Sequence, residues 1–185
     1  MAVVVSLLRG VNVGGHHAIK MDALRALYES LRLDDPRTYV QSGNVVFRTR
    51  ERDLAKLAQR VENAIERKFG FRPAIIVRTS SEMRDVVAEN PFAARQDIEP
   101  SKLIVTFLAH DPGREVRDKL LKIKTDGEEL RIIRSRELYL YFPSGMGRSK
   151  LPALLERTLP TPGTARNWNS VTKLLEMAAE LEAAP

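Results

Sequence analysis

The feature that most constrains this chain is an order of segments that occurs twice. An apolar run, Val3–Leu8, breaks at Arg9-Gly10 and is followed by residues whose apolar positions recur every three or four places, Met21, Leu24, Leu27, Tyr28 and Leu31. That spacing puts them on one face of a helix. β-rich runs at 37–42 and 45–48 flank Gly43-Asn44, a pair suited to a tight hairpin turn. A second amphipathic helix carries Leu54, Leu57, Ala58, Val61, Ala64, Ile65 and Phe69 and stops at Gly70. A strand over 74–78 completes β-α-β-β-α-β. A further helix opens on Thr79-Ser80-Ser81-Glu82, the pattern of a capping box, and closes before Asn90-Pro91.

The same order returns after the Pro91–Pro100 stretch. Residues 102–108 read as a strand, Asp111-Pro112 as the cap of a helix running to about Lys124, and 129–134 with 138–142 as a hairpin. A helix over 149–158, a short strand over 164–167 and a last helix over 171–182 follow. Val5-Ser6-Leu7-Leu8 is echoed by Val105-Thr106-Phe107-Leu108 one hundred residues later. The predicted fold is therefore α+β: two ferredoxin-like (β-α-β-β-α-β) units in tandem, antiparallel sheets with helices packed on one face, over residues 1–95 and 96–185.

Right-handed crossovers fix where the loops emerge. The 9–17 loop and the 41–44 turn leave the same end of the first sheet, which gathers Arg9, Asn12, Gly14, Gly15, His16, Gln41, Ser42 and Asn44. In the second unit, Gly145, Gly147, Arg148, Ser149 and Lys150 leave strand three at the end where Arg166, Asn167 and Trp168 leave strand four. These two groups are the candidate ligand-binding residues. Exposed glycine amides, helix starts and flanking cations suit a phosphate or carboxylate.

Charge points the same way. The chain carries 30 Lys and Arg against 24 Asp and Glu, and the excess sits in residues 1–95, where 16 basic residues meet 11 acidic ones. Such an excess favours phosphate-bearing partners through long-range attraction. With no cysteine and three histidines, metal and thiolate chemistry are not expected, and no cofactor is implied. No apolar run reaches the length of a membrane span and no secretory leader is legible, so the expected location is the cytoplasm.

The glycine pattern is neither a dinucleotide fingerprint nor a P-loop, and Ser42 lacks the strand-turn-helix setting of a nucleophile elbow. No catalytic residue is assigned, and catalysis is left open with the balance against it. Base-stacking on the sheets is disfavoured: Val3–Leu8 has no aromatic, and the paired strand offers only Phe47. Three functions stay open. The first is non-catalytic binding of a phosphate-bearing ligand, a nucleotide or a nucleic acid. The second is a small-molecule transferase or hydrolase using the 9–17 and 41–44 loops, and the third is a protein-interaction or homo-oligomerisation module.

Several blocks carry a resemblance: Leu7–Gly15, Thr38–Phe47, Asn90-Pro91-Phe92, Ser149-Lys150-Leu151 and Ala165–Asn169. In these the chain resembles the conserved bacterial family catalogued as domain of unknown function 1697, from residue 1 to about 180. The resemblance implies a duplicated α/β fold and brings no activity, cofactor or catalytic residue.

Overall fold

The computed structural model describes residues 1–184. The chain divides into two compact units: Met1–Arg84 together with the residues from Lys173 onward, and Asp85–Thr172.

In the first unit, β1 (Ala2–Leu8), α1 (Met21–Ser30), β2 (Asp34–Tyr39), β3 (Asn44–Thr49), α2 (Leu54–Phe69) and β4 (Ile75–Thr79) form an antiparallel sheet in the order β2-β3-β1-β4. Alternation along β1 sends Val4 and Leu8 into a core with Val45, Phe47, Ile75 and Val77, which Leu24, Leu27 and Tyr28 of α1 and Leu57, Val61 and Ile65 of α2 complete. Tyr28 is fully buried; its hydroxyl shares a 2.7 Å hydrogen bond with Ser6 and its ring meets Phe47 edge-on at 5.2 Å. Burial pushes the Tyr28 phenol far up, beyond any physiological titration, so it stays a neutral partner for Ser6. Asp53 caps α2 by accepting from the Lys56 amide at 3.0 Å, and Gly70 ends it in the left-handed region at φ 80°.

The expected strand at 37–42 lies three residues earlier. Val40 sits at φ 48°, which ends extended pairing, and at the other end a bulge between Asp34 and Arg37 absorbs Asp35 and Pro36 on this edge strand. The capping box forms as read: Thr79 Oγ1 accepts from the Glu82 amide at 3.1 Å, and Glu82 accepts from the Thr79 amide at 2.8 Å. It opens α3 (Ser80–Ala88).

The second unit contains β5 (Leu103–Leu108), α4 (Arg114–Leu121), β6 (Glu129–Ile132), β7 (Glu137–Tyr141), α5 (Leu151–Thr158) and β8 (Gly163–Asn167), in the sheet order β6-β7-β5-β8. The chain then enters α6 (Trp168–Ala183). Its core joins Ile104, Leu108, Leu138, Leu140 and Phe142 to Leu120 of α4 and Leu151 and Leu155 of α5. Helix boundaries shift from those expected where polar side chains close a turn or cap a helix start. Asp111 accepts from the Gly113 amide at 2.8 Å, so α4 starts at Arg114 and ends at Leu121, short of Lys124. Asn167 accepts from the Ser170 amide at 2.9 Å and starts α6 three residues before the expected 171. The helix expected over 149–158 begins at Leu151, after a 3-10 turn at Met146–Arg148.

Helices cover one face of each sheet, and the opposite face is buried too. Val3, Val5, Leu7, Val46 and Ile76 in the first sheet, and Leu103, Val105, Phe107 and Tyr139 in the second, all point away from the helical core and are enclosed. The Arg48 guanidinium meets the Leu181 and Ala184 carbonyls at 2.7 and 2.6 Å, and the Tyr139 hydroxyl donates to the Val86 carbonyl at 2.8 Å. These enclosed aromatics offer no stacking platform of the kind RNA-recognition sheets expose.

Candidate functional site

The first group of loops converges as topology requires. The Leu8 amide donates to the Gly43 carbonyl at 2.9 Å, and Asn12 Nδ2 donates to the Gln41 carbonyl at 2.7 Å. The same amide nitrogen reaches the Ile19 carbonyl at 3.0 Å, while Asn12 Oδ1 accepts from the Ile19 amide at 2.8 Å. The Asn12 carboxamide thus pins both ends of its own loop to the hairpin, with its backbone held at φ 56°. Asn44 is fully buried and donates to the Tyr39 carbonyl at 3.0 Å and to Ser42 Oγ at 2.9 Å. Both asparagines are engaged as clamps.

Around these clamps, Gly14, Gly15 and His16 are exposed, whereas His17 stacks on Phe71 with ring centroids 4.3 Å apart. The His16 amide donates to the Val13 carbonyl at 3.1 Å. The neighbouring histidines are therefore committed differently. Among the described residues no group of His, Asp or Glu is arranged to hold a metal ion.

The second group separates. Gly145, Arg148, Ser149 and Lys150 line a cavity of about 520 Å³. Arg166, Asn167 and Trp168 do not reach it: β5 lies between β7 and β8, and alternation turns Arg166 to the buried face away from the core of α4 and α5. Arg166 donates to Thr164 Oγ1 at 2.7 Å and to the Ala165 carbonyl at 2.8 Å, and burial pushes its guanidinium down to about 10. Asn167 caps α6, and the Trp168 amide donates to the Pro100 carbonyl at 3.3 Å.

Much of the remaining cavity wall comes from the segment joining α4 to β6, namely Lys124, Thr125, Asp126 and Glu128, with Ser144, Leu151 and Leu154 among the other lining residues. Reading the sequence for glycine loops passes over this segment. The signal was topological: β6 starts beside the end of β7, with Glu129 opposite Tyr141, so the approach to β6 and the exit from β7 share one end of the sheet.

Electrostatics at this mouth depart from a simple anion cradle. The Gly145 amide donates to the Phe142 carbonyl at 2.8 Å, the Ser149 amide to the Met146 carbonyl at 3.1 Å, and the Leu151 amide to Ser149 Oγ at 3.1 Å. Amides expected to be available are thus already used. Ser149 Oγ in turn contacts Glu128 Oε1, and Glu128 Oε2 accepts from the Asp126 amide at 2.7 Å. The Ser149 hydrogen bond holds the Glu128 carboxyl below the ordinary carboxylate range, against the opposing effect of burial. At neutral pH Glu128 is an anion. The side chains of the cations Lys124, Arg148 and Lys150 take part in no ion pair or hydrogen bond with other described residues.

Taken by architecture, the chain is a tandem α+β protein with a ferredoxin-like element order in each half. It belongs to the family of proteins of unknown function DUF1697, whose model matches residues 1–139. A solved structure, described as that of conserved bacterial protein SP0830 from Streptococcus pneumoniae, is similar to it at a TM-score of 0.73 and 20% identity, over 96% of this chain and 98% of that one. At that identity the likeness shows a shared fold. No match to this chain is found among curated proteins. No helix among the described residues is long and apolar enough to cross a membrane.

Proposed function

We propose that this protein binds a small phosphate-bearing ligand, without catalysis, in the cavity between the α4–β6 segment and the β7–α5 loop. One observation carries the reading: Lys124, Arg148 and Lys150 line a cavity of about 520 Å³, outnumber the carboxylates of Asp126 and Glu128 in the same wall, and form no ion pair with a described residue. Surface cations in this chain are commonly paired, as Arg95 is with Asp97 and Glu129 and Arg72 with Glu62 and Glu66. Three unpaired cations facing one concavity raise its potential and favour anions. Its size falls within the range of small-molecule sites, roughly 300–1,000 Å³.

The clamped Asn12 and Asn44 support reading the 9–17 and 41–44 loops as scaffold. Side chains that hold the loops together are not at hand for transferase or hydrolase chemistry.

Calorimetric titration of the full chain with inorganic pyrophosphate at low salt tests the proposal. Binding is expected, weakening steeply as salt rises and at least tenfold in a Lys124→Ala/Arg148→Ala/Lys150→Ala variant. Absence of binding, or equal binding by the variant, overturns it.

A further inference from the structure

We infer that the ligand of this cavity is a phosphorylated polyol, its phosphate held by Lys124, Arg148 and Lys150 and its hydroxyls read by Glu128. The inference rests on the phosphate-binding reading above and adds what the rest of the ligand must be.

Glu128 is the residue that narrows the choice. Ser149 Oγ donates to its Oε1 and the Asp126 amide to its Oε2. An ionised carboxylate has about four acceptor sites, so capacity remains on both oxygens. Glu128 is half-buried and forms part of the cavity wall. A phosphate set against it would meet like charge, and the amides beside it at 145, 149 and 151 already have acceptors. The phosphate therefore belongs with the cations, and whatever part of the ligand faces Glu128 must donate hydrogen bonds.

A carboxylate is satisfied by cationic donors, such as an ammonium or a guanidinium, or by neutral ones, of which the hydroxyls of a polyol are the most closely spaced. A cationic donor would be attracted by Glu128 and repelled by the three cations around the same cavity. A hydroxyl is neutral, so it gains the charge-assisted hydrogen bond without that opposing effect. Adjacent hydroxyls can engage both oxygens at once. Leu151 and Leu154 supply an apolar stretch of the same wall, suited to the carbon skeleton of a polyol. A sugar phosphate and the ribose phosphate of a nucleotide share this chemistry.

Calorimetry on the full chain with four probes separates the outcomes: inorganic phosphate, n-propyl phosphate, ribose 5-phosphate and adenosine 5′-monophosphate. Ribose 5-phosphate is expected to bind at least tenfold more tightly than n-propyl phosphate. Glu128→Ala is expected to erase that advantage while inorganic phosphate binds as tightly as before or more so, because a negative charge has left the wall. Should Glu128→Ala not fold, Glu128→Gln keeps the shape, and the ribose advantage is expected to shrink while phosphate binding rises. If phosphate binds and ribose 5-phosphate is no tighter than n-propyl phosphate, the inference falls and the phosphate-binding reading stands. If no probe binds, both fall. Tighter binding of the nucleotide than of ribose 5-phosphate supports the inference with a nucleotide as source, and equal binding supports it with a sugar phosphate.

Discussion

A Cβ added to Gly43 would stand 2.7 Å from Leu8 Cβ, and the Gly43 carbonyl accepts from the Leu8 amide at 2.9 Å. The hairpin turn is thereby laid on the exit of β1. Gly43 also sits at φ 72°, so an L side chain is opposed both by its own backbone and by a neighbouring Cβ that cannot swing aside. Gly14 has a similar φ of 61° with nothing within 4 Å of an added Cβ. Gly43→Ala is expected to cost about 2–4 kcal/mol, combining left-handed strain with overpacking. Gly14→Ala should cost about 1–2 kcal/mol, since only the backbone penalty applies. Urea denaturation of both variants checks the ranking, and equal losses would show that the close approach to Leu8 relaxes freely.

The Asn12 carboxamide should govern the order of the whole 9–19 loop. Asn12→Ala removes hydrogen bonds to the Ile19 carbonyl and amide and to the Gln41 carbonyl, a loss of about 1–3 kcal/mol. Asn12→Asp keeps an acceptor for the Ile19 amide and loses both donations. Amide hydrogen exchange distinguishes them: Ile19 is expected to lose protection in the alanine variant and to retain part of it in the aspartate variant. Unchanged exchange in both would refute the clamp.

Much of the fold was legible because its signals are local. Apolar periodicity, Gly70 and the Thr79–Glu82 box act within a few residues, and the structure uses them as they read. What escaped depends on distant contacts. Nothing around Val40 announces a β-branched residue at positive φ, so β2 is displaced from its expected position. A polar loop rich in Asn and Gly reads equally well as a ligand cradle or as a clamp, and the partners of Asn12 and Asn44 show these two side chains holding the loops together. The repeat reaches further than its sequence echo: Arg78 lies opposite Val5 as Arg166 lies opposite Val105, and both guanidiniums are buried. Alternation along β8 could have marked Arg166 as inward-facing; its basic character instead suggested a ligand.

Thr79 tests how far a local signal contributes to stability. Its hydroxyl accepts from the Glu82 amide, and its own amide donates to the Glu82 carboxylate. Thr79→Ala should cost about 1 kcal/mol, the usual loss for an N-terminal cap. Thr79→Ser keeps the hydroxyl and should recover most of that stability. Thermal or urea unfolding measures the pair, and an alanine variant as stable as the serine one would show that the box is ornamental.

Acid should act on the candidate site through Glu128. Its carboxyl is held below the ordinary value of 4.5, first by the Ser149 hydrogen bond, with burial opposing. The folded protein therefore releases this proton more readily than the unfolded chain. Stability from this group is fully present above the unfolded value and is lost as pH falls below it and through the lower folded value. Ser149→Ala removes the main cause of the depression, so the Glu128 titration followed by carbon NMR at Cδ should move upward. The fall in stability between pH 5 and the acid limit should then be shallower than in the parent protein. A Glu128 titration that stays in place in Ser149→Ala would show that the backbone amides, rather than the hydroxyl, set the charge of this wall.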